Sequence, residues 1–172
     1  MTHEDIVLGT IFEEMKQADV NRRYAELFID KHLKRNKRFD ALITCFSIGG
    51  AGLGLINLVF PASVTFVICI AQIIKHIFPT IMRSPGDISK ASTIAVEYDK
   101  YFLKIKKIHD DLFASFIDSR KAEKEFRNIV AANAANKNEL SRIFGKTDNK
   151  MNTEAANRSD DHLNSIYNEQ KQ

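Results

Sequence analysis

Residues Ala41–Phe60 read ALITCFSIGGAGLGLINLVF. Twenty residues pass without a charge, about the length at which a helix spans a hydrocarbon core. Four of the chain's seven glycines fall between Ile48 and Ile56. Glycines packed this densely have two common uses: they let a backbone wrap a phosphate, or they let two helices approach closely. Which use applies decides what kind of protein this is.

A phosphate loop needs G-x-x-x-x-G-K-[ST], because its lysine reaches the phosphates and its hydroxyl holds magnesium. Gly49 and Gly54 have the right separation, but Leu55 stands where the lysine belongs. A dinucleotide fingerprint, G-x-G-x-x-G, begins at Gly50 and Gly52 and again meets Leu55 in place of its third glycine. Begun at Gly52 and Gly54, it meets Asn57. No strand precedes the stretch and no βαβ alternation follows. The helix-packing pattern does complete. Gly50 and Gly54 form G-x-x-x-G, and Ser47 and Ala51 form a second small-x-x-x-small pair, removing the bulk that keeps a neighbouring helix away.

Outward from this run, the short uncharged connection Pro61-Ala62-Ser63 leads into a second apolar segment, Val64–Met82, interrupted by Gln72, Lys75 and His76. Its charge-free part, residues 62–74, covers only ~20 Å as a helix. Spanning therefore requires Lys75 to snorkel or to face a polar interior. Five basic residues lie between Lys31 and Arg38, and Arg83 and Lys90 follow the second run, so the positive-inside rule puts both ends in the cytoplasm. Thr65, Cys69, Gln72, His76 and Thr80 fall within an arc of about 80° on a helix. Thr44, Ser47, Gly50, Gly54 and Asn57 make a broader stripe on the first run. Two readings follow: the stripes face each other and hold a hairpin together, or one lines a water-filled path in an oligomer. Thr65, Gln72, Lys75 and His76 are the candidate pore residues in the second. Cys45 and Cys69 would differ in depth by roughly 12 Å, beyond disulfide reach, and are expected to be reduced.

Before the hairpin, residues 1–40 predict a basic amphipathic helix. It opens on a Thr2-x-x-Asp5 capping box and carries apolar positions at Ile6, Val7, Ile11, Met15, Tyr24, Leu27 and Phe28. The polar N-terminal residues show no secretory signal. After the hairpin, residues 84–144 predict a cytoplasmic helical segment. Ser84, Pro85 and Asp87 make a second helix start, and no proline or glycine interrupts the chain from there to about Val130. Ile88, Ala95, Tyr98, Phe102, Ile105, Leu112 and Phe116 form an apolar seam suited to a coiled coil or an oligomer contact. Asn133 and Asn136 mark a break, and a short helix through Leu140, Ile143 and Phe144 ends at Gly145. Residues 145–172 are polar, nearly balanced in charge, and expected to be disordered.

The fold expected is all-α, with the transmembrane hairpin over 41–82 (41–60 and 64–82). The net charge of +3 is too small to suggest a nucleic-acid partner. No H-E-x-x-H, cysteine–histidine metal spacing or G-x-S-x-G occurs. His109 and Asp110 are adjacent, and adjacent helical residues point apart. No enzyme activity, metal or cofactor is expected.

This order of a basic amphipathic helix, a tight two-helix membrane hairpin and a long cytoplasmic helix resembles the SLATT family. These are two-transmembrane effectors associated with bacterial nucleotide-signalling conflict systems. The resemblance runs from Asn21-Arg22-Arg23-Tyr24 to about Val130. It rests on the architecture, the charge-free turn Phe60-Pro61-Ala62-Ser63 and the helix after Ser84-Pro85. No functional residue is carried over. The resemblance implies a homo-oligomeric effector in the bacterial inner membrane that permeabilises the bilayer in antiviral defence. Its trigger would come from a nucleotide-signalling or sensor partner protein. The alternative is a membrane-anchored scaffold whose long helix recruits partners. A third reading is a soluble helical protein with a buried apolar hairpin.

Overall fold

The computed structural model describes residues 2–53, 68–69, 83–145 and 147–169, with the backbone alone over 46–53. Its helices are α1 (His3–Leu53), α2 (Pro85–Phe113), α3 (Ser119–Ala132), α4 (Ala134–Phe144) and α5 (Asn149–Glu169), and no strand occurs among the described residues. The all-α expectation holds. Among the described residues no helix is long and apolar enough to cross a membrane. Residues 54–67 and 70–82, which hold most of the two apolar runs, lie outside them. The chain divides into two compact units, one of residues 1–28 and 89–172, the other of residues 29–88.

Side-chain caps start α1, α2, α3 and α5, whereas Asn133 makes no side-chain cap bond ahead of α4. Asp5 Oδ2 accepts the Thr2 backbone N–H at 2.6 Å, and Thr2 Oγ1 accepts that of Asp5 at 3.2 Å, the reciprocal capping box. Ser84 Oγ accepts from the Asp87 backbone N–H at 3.1 Å ahead of α2. Asp118 caps α3 by accepting from the Lys121 backbone N–H at 2.9 Å. Gly145, at φ 62°, ends α4 in a conformation that disfavours any residue with a Cβ.

Three expectations need correction. The helix predicted to run unbroken from Ser84 to about Val130 stops at Phe113 and restarts at Ser119. Ser115 takes φ 58°, and the backbone N–H of Phe116 reaches back to the Asp111 carbonyl, closing a tight corner without glycine or proline. The tail expected to be disordered contains α5. Its buried face is Met151, Ala155, Ser159 and Leu163, one residue per turn. A row this small buries its backbone close to a neighbour and needs little apolar bulk, which is why the polar composition was misleading. The seam assigned to oligomer contact is largely spent inside the chain. Tyr98, Phe102, Ile105 and Leu112 are buried, Ile88 is buried, Ala95 is half-buried, and Phe116 is 80% exposed beyond the end of α2.

In the first unit the core follows a strict three-four alternation along α2: Ala91, Ile94, Tyr98, Tyr101, Ile105, Ile108 and Leu112, all buried. From α1 come Val7, Ile11, Met15, Ala18 and Ala25. Phe144 of α4 sits edge-on to Phe28 and Tyr24, with ring centroids 4.6 and 5.4 Å away. The Tyr24 hydroxyl then accepts the Asp148 backbone N–H at 3.0 Å, just where Asp148 caps α5 through the Lys150 and Met151 backbone N–H groups. One aromatic cluster thus fixes both the end of α4 and the start of α5.

In the second unit, Asn36 Nδ2 donates to the Arg83 carbonyl at 3.0 Å. His32 is buried among cations. Its burial, and then the charges of Arg83, Arg35 and Lys31, push the imidazole below the usual histidine range. Cys45 and Cys69 are free and exposed.

Candidate functional site

Of the residues singled out in the sequence, Gly54, Thr65, Gln72, Lys75 and His76 lie outside the described residues. Ser47, Gly50 and Ala51 lie on the helical backbone of α1, and their side chains lie outside the described set. What the described residues bring together is a different feature, within the first unit.

A groove of about 1270 Å³ opens beside the first four turns of α1. Its walls come from α1 between Asp5 and Gln17, from His109 and Phe113 at the end of α2, from Phe126 and Val130 of α3, and from Tyr167 of α5. The floor is a cluster of rings. Phe12 lies 5.8 Å from His109 and 6.0 Å from Tyr167, His109 lies 5.5 Å from Tyr167, and Phe113 stacks on His109 at 6.3 Å. Phe113 itself is 73% exposed, a large apolar surface left at the rim.

Polar atoms below the floor are held by one another. Tyr167 Oη lies 3.1 Å from His109 Nδ1 and 3.7 Å from Met15 Sδ. Its burial, and then the neighbouring Asp110 carboxylate, push the phenol up, so it stays protonated. Glu14 accepts from the Tyr101 hydroxyl at 2.8 Å and from Lys137 Nζ at 2.7 Å. Burial, then the bond to Glu14, raises the Tyr101 phenol as well. Burial, then the Glu14 charge, pushes Tyr98 up to about 12.

Behind this wall, α1 and α5 meet at Asp19, whose side chain is fully buried. Asp19 Oδ2 accepts from Arg23 Nε at 2.7 Å and lies 3.2 Å from His162 Nδ1, and Oδ1 pairs with Arg22 at 2.8 Å. Burial alone would raise this carboxyl. The bond from Arg23 and the charges of Arg23, Arg22 and His162 outweigh it and hold the group below the usual carboxylate range.

The groove carries an asymmetric charge. Its carboxylates are Asp5, Glu13 and Glu14, and among the described residues no lysine or arginine lines it. Asp5, Gly9 and Glu13 stand on one i, i+4 row, a bare notch between two acids. Gly9 serves no internal contact, because a Cβ built there would meet nothing within 4 Å. In a helix interior such a glycine costs about 0.5–1 kcal/mol relative to alanine. Rings, carboxylates and a bare notch equip this surface for recognition. Among the described residues no group of three or more His, Cys, Asp or Glu side chains could hold a metal ion.

Sequence reading missed the groove because its walls come from four separated segments. The single local signal was Gly9, the only glycine in the first 48 residues. Comparison with known proteins returns no matching family model, curated protein or solved structure.

Proposed function

We propose that the chain is an oligomeric membrane effector of the SLATT type, seated in a bacterial inner membrane with both ends in the cytoplasm, that permeabilises the bilayer when a partner protein triggers it. The observation that carries this reading is the charge-free run Ala41–Phe60, joined by an uncharged turn to a second apolar run and bracketed by basic residues on both sides. The helical backbone of α1 through Leu53 supports it, since a spanning run must be helical to satisfy its own backbone. With the α2 stripe spent inside the first unit, copies would meet through the small-residue face Ser47, Gly50, Ala51 and Gly54. The Thr65–Gln72–His76 stripe would line the path, because a two-helix hairpin cannot enclose a pore alone.

Induced expression with a membrane-potential dye tests this. Growth arrest with depolarisation is expected, abolished by Gly50→Ile with Gly54→Ile. Leucine at Thr65 and Gln72 should stop ion leakage while leaving the chain in the membrane fraction. An unchanged potential at high expression, with partner proteins present, refutes the proposal. Leakage that survives both leucines means that the Thr65–Gln72–His76 stripe does not line the path.

A further inference from the structure

We infer that the groove beside the N-terminal turns of α1 is the docking site for an amphipathic helix of another protein, about three turns long, with an apolar stripe and two basic residues roughly two turns apart on one flank. Length sets the class of occupant. The wall from Asp5 to Gln17 extends ~18 Å along α1, the span of a short helix. The ring floor of Phe12, His109, Phe113 and Tyr167 suits an apolar stripe lying across it.

Charge sets the chemistry. A chain with 25 basic against 22 acidic residues places three carboxylates and, among the described residues, no lysine or arginine in this one groove. Glu14 is already engaged by Lys137 and Tyr101. Asp5, whose Oδ2 also accepts the Thr2 backbone N–H, and Glu13 are the exposed acids, and no salt bridge among the described residues involves either. They stand eight residues apart on one row, ~12 Å along the axis, which fixes the spacing of the cations that would meet them. Gly9, midway between, gives the close approach: with no Cβ and empty space in front of it, a crossing helix can lie against the α1 backbone there. This recognition does not rest on the pore-forming reading, because it concerns the first unit alone.

The probe is a fluorescein-labelled amphipathic peptide of roughly fourteen residues, with a leucine stripe and two lysines two turns apart. It is titrated by anisotropy against the full chain in phosphatidylcholine nanodiscs, or in buffer where the chain does not co-elute with the discs, with empty discs or buffer as the blank. Comparator peptides carry glutamate in place of both lysines, or the same composition scrambled. The lysine peptide should bind at least about tenfold more tightly than either comparator. Gly9→Leu should weaken it at least about tenfold by filling the notch. That variant adds a better helix former facing open space, so lost binding is not lost folding, and helicity by circular dichroism confirms it. Glu13→Lys should reverse the preference between lysine and glutamate peptides. Equal binding of both peptides, binding unchanged in Gly9→Leu, or no binding above the blank each overturns the inference. So does a doubling of particle mass that Gly9→Leu abolishes without peptide binding, since the groove would then hold a second copy. Ion leakage is not read in this experiment, so its outcome and that of the depolarisation test are separable.

Discussion

Replacing Asp19 with asparagine removes one charge from the place where α1 and α5 meet. The carboxylate has no exposed surface and serves Arg22 at 2.8 Å, Arg23 at 2.7 Å and His162 at 3.2 Å. Breaking a fully buried ion pair costs about 3–5 kcal/mol, because the partner charge stays behind without compensation. Here the loss is softened. The Arg22 and Arg23 side chains keep 19% and 16% of their surface in solvent, and Arg22 retains Asp99 at 2.6 Å. The expected cost is therefore about 2–3 kcal/mol, part of it from turning an asparagine N–H₂ toward a guanidinium donor. The chain has four tyrosines and no tryptophan, and Tyr24, Tyr98, Tyr101 and Tyr167 all belong to the first unit. Near-UV circular dichroism in urea thus reports that unit's unfolding by itself. The sign with pH follows from the folded carboxyl lying below its unfolded value near 3.8. The contribution is fully present above that value and is lost as pH falls through the folded one, so the wild type should lose it in acid and Asp19→Asn should have none to lose. An asparagine variant within 0.5 kcal/mol of wild type, on the order of the scatter for surface substitutions, would refute the assignment of Asp19 as the electrostatic centre of this contact.

Gly9→Ala should stabilise the first unit by about 0.5–1 kcal/mol in the same urea titration, since the added methyl meets open space; a destabilised variant would mean the notch is filled from within the chain. Leu163→Ala should cost about 2–4 kcal/mol for a residue 4% exposed. It should also open residues 149–169 to limited proteolysis, and an unaltered digestion pattern there would contradict the docking of α5. For His32 the folded imidazole lies below the ordinary value of 6.5. Stability of the second unit is then greatest above that pH and falls as the medium is acidified below it, because the unfolded chain takes up the proton first. An NMR titration with the His32 signal assigned through His32→Gln checks this, and a midpoint at or above 6.5 would reverse the sign.

Helix starts were legible in the sequence because caps are local. Thr2 with Asp5, and Ser84 with Asp87, do in space what their spacing implies. Gly145 was legible for the same reason. Breaks without glycine or proline were not. The corner at Ser115 depends on a serine accepting a left-handed backbone, and its one local mark is Asp118, an N-cap three residues ahead of the Lys121 amide it bonds. The α2 seam was half legible: Tyr98, Phe102, Ile105 and Leu112 were read as apolar positions, but the register through Ile94, Tyr101 and Ile108 appears only when the partner faces are known. The tail was misread because Ala155 and Ser159 pack by being small, which composition cannot distinguish from polarity. The pore candidates Thr65, Gln72, Lys75 and His76 lie outside the described residues, and of the small-residue face only the backbone of Ser47, Gly50 and Ala51 falls among them. The groove was illegible because His109, Phe126 and Tyr167 become neighbours of Phe12 only through the tertiary fold.

The first unit is assembled from two pieces of chain, residues 1–28 and 89–172, with sixty residues between them. That separation imposes an order in time. At roughly 5–20 residues per second of synthesis, the intervening segment occupies the ribosome for about 3–12 s after Phe28 has been made. Through that interval Ile11 and Met15 have no partner helix, while the apolar runs Ala41–Phe60 and Val64–Met82 are already emerging. Whatever those runs do first, burial in a bilayer or capture by a chaperone, happens before the α2 and α5 faces exist to close over α1. In this chain the fate of the two apolar runs is settled while the bundle is still half written.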